Sequence, residues 1–175
     1  MKIGFNSPAR RACARLGFAI TDAVVAMLLM TVAVGGLAGS VTFGLKLHRT
    51  NQESAVAEQG ARAILAQLRE TDFDAIFAQY AAAPDLAIEG LNPRPDDPDG
   101  RVAKLLFPVD AANPLKLDEN ADLPALGCPR DLDGDGDKDS VGTTDNYIIL
   151  PITLRVEWRG TGGDMTQVYH VVLTQ

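Results

Sequence analysis

The stretch DLDGDGDKDS sets Asp131, Asp133, Asp135, Asp137 and Asp139 at alternating positions around Gly134 and Gly136. Carboxylates this close repel one another unless they spread into water or meet a cation. Calcium takes about six to eight oxygen ligands, and the spacing matches the opening of a calcium loop. Asp131, Asp133 and Asp135 take positions one, three and five, Gly136 takes six, the Asp137 carbonyl seven and Asp139 nine. The twelfth position falls on Gly142, so the usual bidentate glutamate is missing; Asp145 is the nearest substitute, and no flanking helix pair is evident. The loop therefore reads as an aspartate-rich calcium loop of the extracellular kind, with a solvated acidic loop as the alternative. A second isolated carboxylate, Asp22, stands inside RLGFAITDAVVAMLLM, where an acid resists burial in lipid or in a protein core unless it has a partner. Other reactive sets are missing. His48 and His170 belong to no cluster, no Ser-His-Asp set, glycine-rich phosphate loop or Cys-x-x-Cys pair occurs, and Asp96 and Asp97 sit in a proline-rich loop poorly suited to acid-base work. The expectation is a protein that is not an enzyme, with calcium as its one cofactor.

The elements that must carry these residues begin with a membrane-like segment. Residues 18–45 are apolar or small, broken by few polar residues, among them Thr21, Asp22, Ser40 and Thr42, and they exceed the roughly 20 residues that span a bilayer as a helix. Lys2, Arg10, Arg11 and Arg15 precede the run and no acid does. That basic start predicts a cytoplasmic N-terminus, with the remainder sent outward. From Phe18 onward 12 basic residues face 23 acidic ones, a net charge of −11 that repels phosphate backbones and argues against nucleic acid as a partner. On this topology Cys13 and Cys128 lie on opposite sides of the membrane and cannot pair. Cys128 is then either a small buried hydrophobe or an intermolecular disulfide partner.

Two fates of the apolar segment follow from its sequence. A secretory signal peptide would be cut after Ala38, within the small-residue series VGGLAGS. That reading gives Asp22 no role, and the helical pattern continues well past Ala38. A cut between Gly17 and Phe18 does give it one. The new α-amine of one subunit would meet the carboxylate at the fifth residue of a neighbour when apolar helices bundle, and in low dielectric that attraction is much stronger than in water.

GFAITDAVVAMLLM resembles the class III signal of type IV prepilins and type II secretion pseudopilins, whose usual form is Gly, Phe, Thr, Leu, Ile, Glu. Gly17 and Phe18 match, Ala19 replaces the threonine, Ile20 the leucine, Thr21 the isoleucine, and Asp22 the glutamate. The resemblance implies cleavage by a prepilin peptidase between Gly17 and Phe18, N-methylation of Phe18, and a role for Asp22 in assembly. It also implies a single-pass inner-membrane protein with a periplasmic head, whose partners are other pilins or pseudopilins and the inner-membrane assembly platform. No cysteine pair is available for the disulfide-bounded C-terminal loop usual in major pilins. The resemblance is therefore closest to a minor pilin, a pseudopilin or the pilus-modification group.

Beyond Lys46, apolar residues recur at three and four: Ala57, Ala61, Ile64, Leu65, Leu68, then Phe73, Ile76, Phe77 and Tyr80. Glu58, Arg62, Arg69, Glu70 and Asp74 take the other face, so an amphipathic helix is predicted to rest on a head. Thr71 with Asp74 suggests a capping box and a restart, and Pro84 a stop. Gly35, Gly36, Gly39 and Gly44 suggest close helix packing or a locally melted stretch. Residues 84–100 read as a surface loop, RVAKLLFPV as a strand, and residues 110–144 as a second loop. YIILPITLRVEW alternates, with Ile152, Leu154, Val156 and Trp158 on one face and Thr153, Arg155 and Glu157 on the other. QVYHVVLT returns with Tyr169, Val171 and Leu173 alternating after a turn at Gly160, Gly162 and Gly163, which makes a hairpin. The expected fold is α+β and pilin-like: a long N-terminal helix laid on a small antiparallel sheet. Its parts are a leader (1–17), a transmembrane and assembly helix (18–45), an amphipathic continuation (46–83) and a periplasmic head (84–175).

Overall fold

The computed structural model describes residues 9–97, 99–138, 140–142 and 147–175, with side chains described from Ile20 onward and not for Ser140. The chain divides into two compact units, Met1–Leu47 and His48–Gln175. In chain order the elements are α1 (Ala9–Glu70), α2 (Phe73–Ala81), β1 (Asp85–Leu86), β2 (Ala103–Leu106), β3 (Lys116–Asp118), a 3-10 turn (Pro124–Leu126), β4 (Ser140–Gly142), β5 (Ile149–Gly160) and β6 (Gly163–Thr174).

The described residues of the first unit, 9–47, are all helical. Every side chain from residue 20 to 47 is exposed, large apolar ones such as Met27, Met30, Leu37 and Phe43 included. The hydroxyls of Thr31, Ser40 and Thr42 donate to the carbonyls of Met27, Gly36 and Ala38 one turn back. These three hydroxyls are thus satisfied within the helix, as an apolar surrounding demands. The four glycines are helical, and a Cβ at any of them would meet nothing within 4 Å in this chain.

In the second unit, Ala57, Ala61, Ile64 and Leu68 of α1 and Ile76, Phe77 and Tyr80 of α2 enter one core with Leu105 of β2 and Ile152, Leu154, Val156 and Trp158 of β5. All of these but Leu105 are residues picked out by the spacing of three and four and by the alternation, whereas Leu65 and Phe73, picked out with them, are only partly buried. Each large one contributes about 1.5 to 3 kcal/mol by leaving water. The layout is α+β, helix against a four-stranded antiparallel sheet of order β1-β2-β5-β6. The β5–β6 hairpin pairs from Ile149↔Thr174 to Gly160↔Gly163 around Thr161 and Gly162. Glu53 of α1 holds its tip, its carboxylate accepting from the backbone N–H and the hydroxyl of Thr161.

Three expectations need correction. The break near Thr71 exists, but not as a capping box: the Thr71 hydroxyl donates back to the Gln67 carbonyl and closes α1. Asp72 takes the N-cap position of α2 without a side-chain cap hydrogen bond. Residues 84–100 are not all loop, since Asp85 and Leu86 pair with Lys104 and Ala103 and Ile88 is buried. Ile88 lies so close to α1 that a Cβ on Gly60 would overlap its side chain. Residues 110–144 contain β3, the 3-10 turn and β4, with Leu117 opposite Val141 in a two-stranded sheet. Strands of two or three residues offer too few alternations to register as a period.

Candidate functional site

The acidic loop is held at both ends by the core. At its far end Tyr147, 1% exposed, packs on Phe73 and Phe77 with ring centroids at 5.0 and 6.5 Å. Its hydroxyl donates to the Phe73 carbonyl at 2.6 Å and accepts from the Phe77 N–H at 3.3 Å, and burial pushes its pKa up. Inside the loop Leu132 is fully buried, and its carbonyl accepts from the N–H groups of Ile148 and Ile149. Such anchoring fixes where the flanking aspartates project.

Between these anchors the carboxylates organise the backbone. Asp131 accepts from the Gly134 N–H at 2.6 Å with one oxygen and from the Gly136 N–H at 3.1 Å with the other. Asp133 accepts from the Asp135 N–H, and Asp135 from the Asp137 N–H. Gly134 and Gly136 carry φ of +83° and +97°, a left-handed conformation that favours glycine and lets the chain coil around Asp131.

A residue that the sequence reading missed completes the arrangement. Glu119, next to β3, is a buried charged residue with no exposed surface. Its side chain accepts from the Leu132 N–H, and its carbonyl accepts from the Arg130 N–H at 2.9 Å. Asn120 extends the same junction by donating to the Lys138 carbonyl at 2.6 Å. One carboxylate oxygen each from Glu119, Asp131 and Asp133 lie within 4.8 Å of one another.

Asp131 and Asp133, assigned to positions one and three, are thus brought together. Asp135 and Asp137 are exposed and outside that group of three, and Asp139 and Asp145 lie outside the described residues. Nothing in KLDENADLP marks Glu119 as buried. The only available signal was the loop's unmet need for a glutamate, and sequence offers no means of finding one on the upstream side.

At the other end of the chain, α1 runs unbroken through Gly17 and Phe18, and Asp22 stands exposed on the helix of the first unit. His170 is exposed on β6 with Nδ1 3.1 Å from the Thr153 hydroxyl, and His48 is exposed on α1. Cys128 is 4% exposed, and burial raises its thiol pKa. Asp97 and Asp99 share a side-chain hydrogen bond that holds the carboxyl of Asp97 above, and that of Asp99 below, the ordinary aspartate value.

Fold and sites together define an α+β protein with a long helix near the N-terminus, mean hydropathy 2.2 over its most apolar window, that is long and apolar enough for a membrane span or a signal sequence. Comparison of the chain with protein-family models, with curated proteins and with solved structures finds no match.

Proposed function

We propose that the chain is a structural subunit, a minor pilin or pseudopilin, cut by a prepilin peptidase between Gly17 and Phe18 and assembled into a type II secretion pseudopilus or a type IV pilus. The observation that supports this is the conjunction of the basic leader, Gly17-Phe18 and Asp22 with a helix whose apolar side chains are all exposed from residue 20 to 47. A surface of that kind needs lipid or neighbouring apolar helices around it. In this reading the subunit waits in the inner membrane, head in the periplasm, until the assembly platform draws it into a bundle. The Phe18 amine of one subunit then meets Asp22 of the next, which offsets the insertion cost of the acid, roughly 2.5 to 3.5 kcal/mol at a helix centre in lipid and less near an end, where Asp22 stands, and fixes the stagger. The shorter reach of Asp22 relative to glutamate makes the efficiency of Phe18 methylation the feature most open to change.

Calcium belongs to the same proposal. Glu119, Asp131 and Asp133 offer hard oxygen donors of the kind it prefers, and a carboxylate oxygen that accepts one N–H keeps a further lone pair for a cation. Bound there, the ion would neutralise three converging charges and tie β3 to the aspartate loop.

N-terminal sequencing of the mature protein, with the Asp22→Asn variant alongside, tests the reading. A start at Phe18, and at least a tenfold loss of Asp22→Asn from sheared filaments relative to wild type, is the expected result. A mature chain starting at Gly39 would make the segment a signal peptide. The acidic group would then favour the second reading, a secreted or membrane-anchored calcium-binding adhesion module outside any filament.

A further inference from the structure

The two edges of the four-stranded sheet differ. β1 is two residues long and follows Pro84, an ordinary way to end a sheet without inviting another strand. β6, at the opposite edge, is 12 residues long and keeps one register with β5 throughout, without a bulge, a proline, a lysine or an arginine. The hairpin register decides which of its backbone groups are left over. Gly160 and Gly163 close a two-residue turn, and beyond the last pair the Gln175 N–H still donates to the Ile148 carbonyl, so the odd-numbered residues of β6 bond to β5. The backbone N–H and C=O groups of Thr166, Val168, His170, Val172 and Thr174 therefore point away from the sheet, and no described residue hydrogen-bonds to them. The 3-10 turn comes up against β6 but touches β5 as well. Strands lie about 4.8 Å apart, so that turn sits at the hairpin and not beyond its free edge.

The side chains at these five outward positions are Thr, Val, His, Val and Thr, the same in both directions along the strand. All five are exposed, Val168 at 46% and Val172 at 40% although both are apolar. An edge with this symmetry is complementary to itself. Turned half a revolution about His170, a second β6 lies antiparallel to the first and sets Thr166 against Thr174, Val168 against Val172 and His170 against its own copy. Each such pair exchanges two backbone hydrogen bonds, about ten in all. A register centred on Val168 instead sets Thr166 against His170 and Asp164 against Val172, and loses the matched pairs. Asp164, at the charged end of the strand, is held by Arg159 at 2.7 Å and lies outside the span centred on His170. On the helix side the same turn sets the half-buried Tyr169 against Val171, an aromatic ring on a β-branched neighbour.

We propose that the β6 edge joins two copies of this chain, antiparallel about His170, so that their two sheets run on as one. The dyad stands perpendicular to the sheet, and the parts of α1 that pack on the two sheets therefore run in opposite directions. The contact joins heads on facing membranes, on separate filaments or free in solution, and not side-by-side neighbours in one bilayer. The net charge of −11 from Phe18 onward opposes the approach, so added salt strengthens the pair. The pairing stands whether or not the chain enters a filament.

The test uses the full chain in detergent micelles, mildly oxidised after single substitutions to cysteine. In the proposed register the Cα atoms of the two residues 170 lie about 5.5 Å apart, inside disulfide range, whereas the two residues 168 are separated by at least about 13 Å. His170→Cys should give at least tenfold more disulfide-linked dimer than the wild type, whose own cysteines supply the background. Val168→Cys alone should give none above that background, and a mixture of Val168→Cys and Val172→Cys chains should cross-link. Salt should raise the His170→Cys yield, and adding Val172→Lys should lower it about tenfold. Hydrogen exchange of the wild type tests the contact without substitution: the amides of Val168, His170 and Val172 should slow severalfold as the protein is concentrated, while those of Tyr169 and Val171 stay constant. Equal cross-linking of His170→Cys and Val168→Cys, no cross-linking above wild type, or outward amides whose exchange does not depend on protein concentration would overturn the proposal.

Discussion

Replacing Glu119 with glutamine keeps the side chain's shape and removes its charge, which makes it the sharpest probe of the acidic group. Oxygens of Glu119, Asp131 and Asp133 lie within 4.8 Å of one another. At an effective dielectric of about 20, two unit charges at that separation repel by about 3.5 kcal/mol, so neutralising Glu119 relieves two such pairs. Asp131 and Asp133 are half-exposed, and solvent screening reduces the relief severalfold, to about 2 to 3 kcal/mol. The Leu132 N–H then donates to a neutral amide oxygen where it had a charged acceptor, which returns about 1 kcal/mol. In a chelator the Glu119→Gln protein should therefore be the more stable by about 1 to 2 kcal/mol, which is roughly 3 to 6 °C in Tm for a chain of this size. Calcium reverses the order. At a concentration 100 times its Kd it stabilises the wild type by about 2.7 kcal/mol, and a site with one charge fewer gains much less. Thermal melts of the two proteins, each with chelator and with millimolar calcium, read this directly. The reasoning fails if the two proteins keep the same order in both buffers, or if calcium moves neither.

Two further outcomes follow from the core. Gly60→Ala puts a methyl group into the Ile88 side chain, and should lower stability by about 1 to 3 kcal/mol in a denaturant melt; Ile88→Ala in the same chain should recover part of that loss, whereas additive losses would mean that the two do not touch. Burial raises the Cys128 pKa above the ordinary thiol value of 9.0, so the unfolded chain loses that proton first; the associated stability is complete below pH 9.0 and is lost as pH rises through the folded-state value. The fall in Tm above pH 9 should be shallower in Cys128→Ala than in wild type, and thiol labelling of the native protein should be slow; equal slopes and rapid labelling would place the thiol in water.

What was legible in the sequence is what local periodicity carries. The exposed apolar run of residues 20–47, the inward stripe from Ala57 to Tyr80 and the alternation of Ile152, Leu154, Val156 and Trp158 all repeat over many residues, and each reappears in the structure on the expected face. The hairpin was readable for the same reason, since two alternating runs and a glycine-rich turn leave one register that buries the apolar face of β5 and half-buries that of β6. The restart after Thr71 was half legible: a break was due, but which side chain caps what depends on backbone angles that spacing does not encode.

Tertiary structure decided the chemistry. β3 meets β4 through Leu117 and Val141, and only that pairing brings Glu119 beneath Leu132 and beside Asp131 and Asp133 while Asp135 turns outward to bind the next N–H. A charged cavity of the second unit likewise draws Asp85, Arg94, Lys104 and Arg155 from four separate stretches of chain. Alternation along a strand says which face a side chain takes; which distant side chain it meets there is set by the pairing of strands and by the packing of the core beneath them.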